Sequence, residues 1–188
     1  MSIATRRGDQ GETDLLFGHR ITKKHPRIHA LGDVDELNAA LGLLRVHARR
    51  PETTEVCAQV QRWLIDLMGE IATPPGLEQR YSDTHPHTIA PAEVTWLDEK
   101  VAFLEAHGAL KFEGWALPGA AGSLAGAHAD MARTIARRAE RTLIDLTGTE
   151  QALPNPEITR FLNRLSDVLW LLARWEEQLE PKRTPDTP

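Results

Sequence analysis

The chain has 188 residues, of which 41% are hydrophobic and 26% charged, a balance that fits one domain with a full core. A formal net charge of −5 argues against general nucleic-acid binding, and no apolar run approaches the roughly 20 residues that span a bilayer. Cys57 is the sole cysteine, which excludes an intrachain disulfide and a cysteine-built zinc centre, and the polar, basic start carries no apolar signal segment, so a cytoplasmic location is expected.

Residues 1–30 show no sustained period and contain Gly8, Gly11, Gly18 and Pro26, the pattern of an irregular, largely extended arm. The arm holds Arg6, Arg7, Arg20, Lys23, Lys24 and Arg27 against Asp9, Glu12 and Asp14, and Arg133, Arg137, Arg138 and Arg141 form a second basic cluster. Two local clusters on an acidic chain point to a small anionic ligand; solvated surface charge is the alternative.

Five helices follow. Val34, Leu37, Leu41 and Leu44 set the first over 31–49, before Pro51. Val56, Val60, Trp63, Leu64, Leu67 and Ile71 set the second over 53–72. A polar, Pro-rich loop over 73–90 leads to the third, from Pro91 to Gly108, with Val94, Leu97, Val101 and Leu104 inward. A glycine-rich connection over 109–123 precedes the fourth, 124–146, and the fifth runs from Pro156 to Leu179. No alternating strand pattern and no internal repeat is visible. The reading is an all-α, five-helix bundle over 31–180 within a single domain of 1–188, with the arm before it and a disordered tail over 181–188.

At about 100° per residue the fourth helix places Met131, Ile135, Ala139, Leu143 and Leu146 on a core stripe, and Arg133, Arg137, Glu140 and Arg141 opposite. Ion pairs on an exposed face would account for that second stripe; so would a polyphosphate, whose oxygens match the planar guanidinium fork. On the fifth helix Asn163, Asp167 and Arg174 share a face away from the core stripe, with Arg160 beside them. Asp35, Asn38 and Gly42 edge the apolar stripe of the first helix, where another helix, including one from a second subunit, could approach closely. In the arm, Gly8 and Gly11 could aim backbone N–H groups at an anion, although the segment lacks the Gly-Lys-Ser/Thr of a Walker loop. His85 and His87 lie two apart in a Pro-rich loop, and the remaining histidines lack ligand spacing, so no protein-bound metal is expected. Trp115 sits beside Leu117-Pro118-Gly119 in a loop where its ring could meet a ligand.

Three blocks in order, TRRGDQGETDLLFGHR, HPRIHALGDVDELNAALGLLR, and WALPG with ARTIARRAER and FLNRLSDVLWLLAR, resemble the PduO-type ATP:cob(I)alamin adenosyltransferases. The resemblance covers nearly half of the chain. It implies a ferritin-like five-helix bundle, a homotrimer, and ATP bound between neighbouring subunits. By position, Thr5, Gly8, Asp9, Gly11 and Thr13 would wrap the triphosphate with Lys23, while Arg137, Glu140, Arg141 and Asn163 would complete the ATP site and Mg²⁺ would bridge the phosphates. Asp35 would pair with Arg133 across the interface and shape the corrinoid pocket. The implied catalytic set is Asp35, Arg133 and Arg137, with Trp115 at the corrinoid.

The implied reaction is attack by the cobalt of cob(I)alamin on C5′ of ATP, releasing triphosphate and forming adenosylcobalamin. A cobalamin reductase and an adenosylcobalamin-dependent enzyme would be partners. Trp115 stands where the family has Phe, and Ala120 where its second Gly would follow; Arg7 and Glu12 also depart from the arm pattern. An ATP-gated corrinoid carrier with the same fold is the rival function, and a bundle whose polar stripes serve only oligomerisation is the other.

Overall fold

The computed structural model describes residue 4 and residues 6–85, 87–108 and 114–181. Its elements are β1 (Glu12–Asp14), a 3₁₀ turn (Leu16–Gly18), β2 (Arg20–Thr22), α1 (Pro26–His47), α2 (Pro51–Ala72), α3 (Glu78–Thr84), α4 (Pro91–His107), α5 (Leu124–Ile144) and α6 (Glu157–Glu177). The five long helices match the five read from periodicity. Thr5, the 109–113 stretch of the connection and residues 182–188 of the tail lie outside the described residues.

Three local readings change. The arm is not wholly irregular: β1 and β2 pair antiparallel, with Thr13 opposite Ile21. Three-residue strands are too short for alternation to register. Next, α1 begins at Pro26 rather than Leu31. Pro26 occupies the first turn, and the Nδ1 of His25 accepts the Arg27 N–H at 3.2 Å, so histidine does what Asp or Ser usually does at a helix start. Finally, the 73–90 loop contains α3, which is docked by Tyr81: its hydroxyl donates to the Asp66 carbonyl at 3.2 Å. A Cβ on Gly69 would lie 2.1 Å from that hydroxyl, so only glycine admits the ring.

The long helices share a core of Leu37, Leu41, Leu64, Leu67, Leu97, Phe161, Leu165 and Leu169, all with no exposed surface. α5 lies between α1 and α6, α2 covers α1, and α4 covers α6. Two fully buried charges fix the ends of α2. The Arg27 Nη1 donates to the carbonyls of Ile71 (3.1 Å) and Thr73 (2.6 Å), while its Nη2 reaches the Ala152 carbonyl at 3.3 Å. At the other end the Glu176 carboxylate accepts the N–H groups of Arg49 and Arg50, each at 3.1 Å. Each charge meets the backbone groups that a helix end leaves unpaired.

These contacts orient the bundle. The starts of α1, α4 and α6 gather at one end with the last turns of α2 and α5, and the arm folds there, its Phe17 ring beneath the Arg80 guanidinium of α3 at 4.4 Å. The start of α5, entered from the loop that carries Trp115, lies at the opposite end, where the rings of His47 and His128 meet at 4.8 Å.

Candidate functional site

The fourth-helix reading needs one rotation. Met131 is 46% exposed, not core, and Glu140 is buried at 8% rather than turned to solvent. Alanines 129, 132, 136 and 139 make the buried face, together with Ile135 and Leu143. These small side chains let α1 and α6 flank α5 on two sides, so the covered arc is wider than one apolar stripe implies.

The edge of α5 toward α6 carries a row of polar contacts at three–four spacing. The Asn163 Nδ2 donates to the Glu140 carboxylate at 3.0 Å. One turn on, the Arg137 Nη1 donates to the Ser166 hydroxyl at 3.3 Å, and that hydroxyl donates to the Asn163 carbonyl at 2.7 Å. Further along, the Arg133 Nε donates to Asp130 at 3.1 Å, and Asp130 also accepts from the Arg174 Nη2 at 2.5 Å. At the last rung Gly126 admits α6 closely, since a Cβ there would lie 3.2 Å from the Ala173 carbonyl. Arg137 and Arg141 stand exposed along this edge, and Asn163 beside them. Arg138 belongs to the other flank, paired with Asp33 (2.9 Å) and Glu36 of α1. The basic cluster is thus two sets of arginines with different neighbours.

In the arm, Arg7, Gly8, Glu12, Thr13, Asp14, Arg20 and Lys23 surround a cavity of about 400 Å³. Gly8 allows the Lys23 ammonium to come close, because a Cβ at Gly8 would sit 3.0 Å from Nζ. Gly11 has φ of +81°, and its carbonyl accepts the Lys23 N–H at 2.8 Å, closing the hairpin. The expected nest of free amides is not present at Asp9 and Gly11. Their N–H groups donate inside the turn, to the carbonyls of Arg6 and Gly8. Cations make this cradle instead. Glu12 is no bare negative charge, since Arg20 holds it at 2.9 Å and reaches Asp14 at 3.4 Å. Those carboxylates, led by the Glu12 hydrogen bond, raise the pKa of Arg20. The arm also has apolar anchors, the buried Leu15 and the covered ring of Phe17.

Of the remaining residues, Asn38 and Gly42 face α2 of the same chain, where Gln61 donates to the Asn38 carbonyl at 3.1 Å and lies near Gly42. Asp35 is exposed, and among the described residues no hydrogen bond or ion pair joins it to Arg133. Trp115 is fully exposed, and Leu117 nearly so at 74%. Likewise no hydrogen bond or ion pair within the described chain links the arm to Arg137 or Arg141. The single chain therefore presents separate pieces: cradle, polar row, free Asp35 and bare tryptophan. Cys57 is no nucleophile, because burial pushes its thiol up to about 12. Sequence reading missed Asp130, Ser166 and Arg27; a buried acid three residues before Arg133 was the signal available for the first.

The family model described as cobalamin adenosyltransferase matches residues 3–176. Cobalamin adenosyltransferase of Cupriavidus metallidurans is 42% identical over 175 residues, covering 92% of this chain and 86% of that protein. Corrinoid adenosyltransferase PduO of Citrobacter freundii is 39% identical over 180 residues, covering 94% of this chain and 50% of that protein, so this chain spans about half the length of that relative. Among solved structures, a variant PduO-type ATP:corrinoid adenosyltransferase from Lactobacillus reuteri, complexed with cobalamin and ATP, superposes with a TM-score of 0.79 at 30% identity, covering 95% of this chain and 92% of that one.

Proposed function

The chain belongs to the cobalamin adenosyltransferase family, and from that premise we propose that it transfers the 5′-deoxyadenosyl group of ATP to cob(I)alamin, forming adenosylcobalamin and releasing triphosphate. The observation that carries this reading is the matching chemistry of two separate pieces at one end of the bundle. The arm offers a cationic cradle around Gly8, Thr13 and Lys23, and the α5–α6 edge offers Arg137, Glu140, Arg141 and Asn163. Thr5, Asp9 and Gly11 belong to the same proposed arm site.

The cobalt of reduced cobalamin is itself the nucleophile, so the protein needs no side-chain base. Its work is to orient ATP and to stabilise the charge that builds on the departing triphosphate. Arg137 suits the second task, with one Nη held by Ser166 and the rest of its fork free for phosphate oxygen. The donors fit a hard cation that arrives with its nucleotide: Asp9 and Glu140 supply carboxylate oxygen, and Mg²⁺ would draw most of its ligands from phosphates and water.

The arm and the row would meet across subunits, in a homotrimer. Exposed Leu43 and Val46 on α1 and Leu124 and Met131 on α5 support such an interface, as does Asp35, which lacks an ion-pair partner in its own chain. Asp35 and Arg133 would then pair between subunits, and Trp115 and Leu117 would meet the corrin. No helix of the described residues is long and apolar enough to cross a membrane, and a cytoplasmic, single-domain enzyme served by a cobalamin reductase fits that finding.

The test is an anaerobic assay with ATP, Mg²⁺ and chemically reduced cobalamin, followed optically, with triphosphate measured in parallel. Equal release of adenosylcobalamin and triphosphate is expected. ATP-dependent corrinoid binding with neither product would establish the carrier instead.

A further inference from the structure

Asp130 and Arg174 have no place in the proposed site, yet they form the most deeply buried charge cluster beside it. Asp130 is only 3% exposed and Arg174 has 11% of its side chain exposed. One oxygen of Asp130 accepts the Arg133 Nε at 3.1 Å, and the other accepts the Arg174 Nη2 at 2.5 Å. Arg174 is gripped from its far side by Glu177, through Nε at 2.7 Å and Nη2 at 2.8 Å. Burial works against the charge of Arg174, but its bonds to Glu177 and Asp130 more than offset that and raise its pKa. Two anions and two cations close a neutral set in which each carboxylate has a bound guanidinium. Removing Asp130 would leave Arg174 half-partnered and Arg133 unattached, since Asp130 holds the only hydrogen bond of the Arg133 side chain among the described residues.

Arginine carries a long side chain with many rotamers, and a planar fork is useful only when its plane is fixed. Binding at Nε fixes that plane and leaves both terminal nitrogens free. The Arg133 side chain is 26% exposed, so those nitrogens are within reach of solvent or a neighbouring molecule.

We infer that Asp130, braced by Arg174, is a positioning residue that sets the Arg133 guanidinium before ligand and neighbouring subunit engage it. The inference rests on the proposed adenosyl transfer for its catalytic consequence, but the pre-set guanidinium is a property of the free protein.

The experiment is a double-mutant cycle in the full-length protein, read together with side-chain NMR. Asp130→Asn should lower kcat/KM for cob(I)alamin about ten- to a hundredfold, as expected when a reacting group loses its alignment, while KM for ATP holds. Arg133→Ala should cause a similar loss, and Asp130→Asn placed on Arg133→Ala should cause little more. Additive losses, or an Asp130→Asn protein with unchanged kcat/KM, would overturn the inference. Thermal midpoint and oligomer mass check folding. If Asp130→Asn does not fold, Asp130→Glu replaces it in the cycle, because it keeps the charge for Arg174 and displaces the acceptor; the same non-additivity is expected. The Nε–H of Arg133, assigned by its loss in Arg133→Lys, should exchange slowly with water in the wild type and quickly in the Asp130 variant. Fast exchange in the wild type would overturn the positioning role whatever the activity. An inactive wild type with a slow Nε–H would instead overturn the proposed function and leave the positioning in place.

Discussion

Neighbouring side chains of one type do different work in this protein. Arg137 and Arg138 are adjacent in sequence, yet one reaches Ser166 on α6 and the other Asp33 and Glu36 on α1. A charge-assisted phosphate contact is worth about 1.5–3 kcal/mol, so Arg137→Ala is expected to cost roughly 10- to 150-fold in kcat/KM for ATP. Arg138→Ala should leave that ratio near wild type and lower the thermal midpoint instead; equal sensitivity in steady-state kinetics would remove the distinction. His25 yields a second test. Burial and the nearby Arg27 lower its pKa, and its Nδ1 can accept the Arg27 N–H only while that nitrogen is unprotonated. A histidine with a lowered folded pKa contributes stability above its ordinary value of about 6.5, and loses it as pH falls through the folded value. His128, lowered by burial and by His47, adds to the same acid window. His25→Asp supplies a cap that stays charged there and favours the helix N-terminus, so it should stabilise by about 0.5–1 kcal/mol. Denaturant melts at mildly acidic and mildly alkaline pH should show the larger gain on the acid side.

At the scale of elements, α2 depends on charges borrowed from its neighbours. Arg27 from α1 closes its C-terminal end and Glu176 from α6 its N-terminal end, both fully buried. Arg27 satisfies carbonyls from two chain segments at once, the last turn of α2 and the loop before α6. Arg27→Met keeps much of the apolar bulk but leaves those carbonyls without donors, each an unmet buried group worth about 1–3 kcal/mol. The expected outcome is a large fall in the denaturant midpoint, with protease cleavage appearing first in the 73–77 and 147–155 connections. α3 has a different dependence. Gly69→Ala puts a methyl group where the Tyr81 ring lies, which should cost about 1–3 kcal/mol through overpacking. Gly69→Ala together with Tyr81→Phe should recover little of that loss, because the nearest ring carbons would still lie within 3.0 Å of the new Cβ.

For the whole molecule the decisive question is how the separate pieces meet. Exposed Leu43, Val46, Leu124 and Met131 and the free carboxylate of Asp35 occur on α1 and α5, which pack side by side. A pairing of Asp35 with Arg133 between subunits predicts complementation. Asp35→Asn and Arg133→Ala homo-oligomers should each turn over cobalamin poorly, since breaking a partly buried ion pair costs about 3–5 kcal/mol. Subunits exchanged between the two would form some interfaces with both wild-type residues and others with neither. Activity should rise above the mean of the two parents, with exchange verified by native mass. No rise after verified exchange would mean that the pair does not form between subunits.

Periodicity was enough for the five long helices, because each buries one apolar arc at helical spacing and the five arcs share a core. The motif blocks were enough for the family, since the arm, the arginine stripe and Asn163 occur in the required order. Features carried by single unusual residues were less accessible: α1 starts on a histidine cap, and β1 and β2 are too short to show a period. Helical spacing also fixes residues only relative to their own axis. It separates Arg137 from Arg138, but it does not say which neighbour covers each flank. For that reason Glu140 turned inward to Asn163, Met131 turned outward, and Asn38 and Gly42 met α2 of their own chain. The Asp130–Arg174 brace depends on a contact 44 residues apart in sequence, set only when α5 and α6 pack antiparallel and Gly126 lets them come close. Local pattern thus determined which segments become helices and which polar residues share an edge. Packing of α5 between α1 and α6 decided which of those residues are held, which are buried and which remain free, because a flank acquires its neighbours only in the folded bundle.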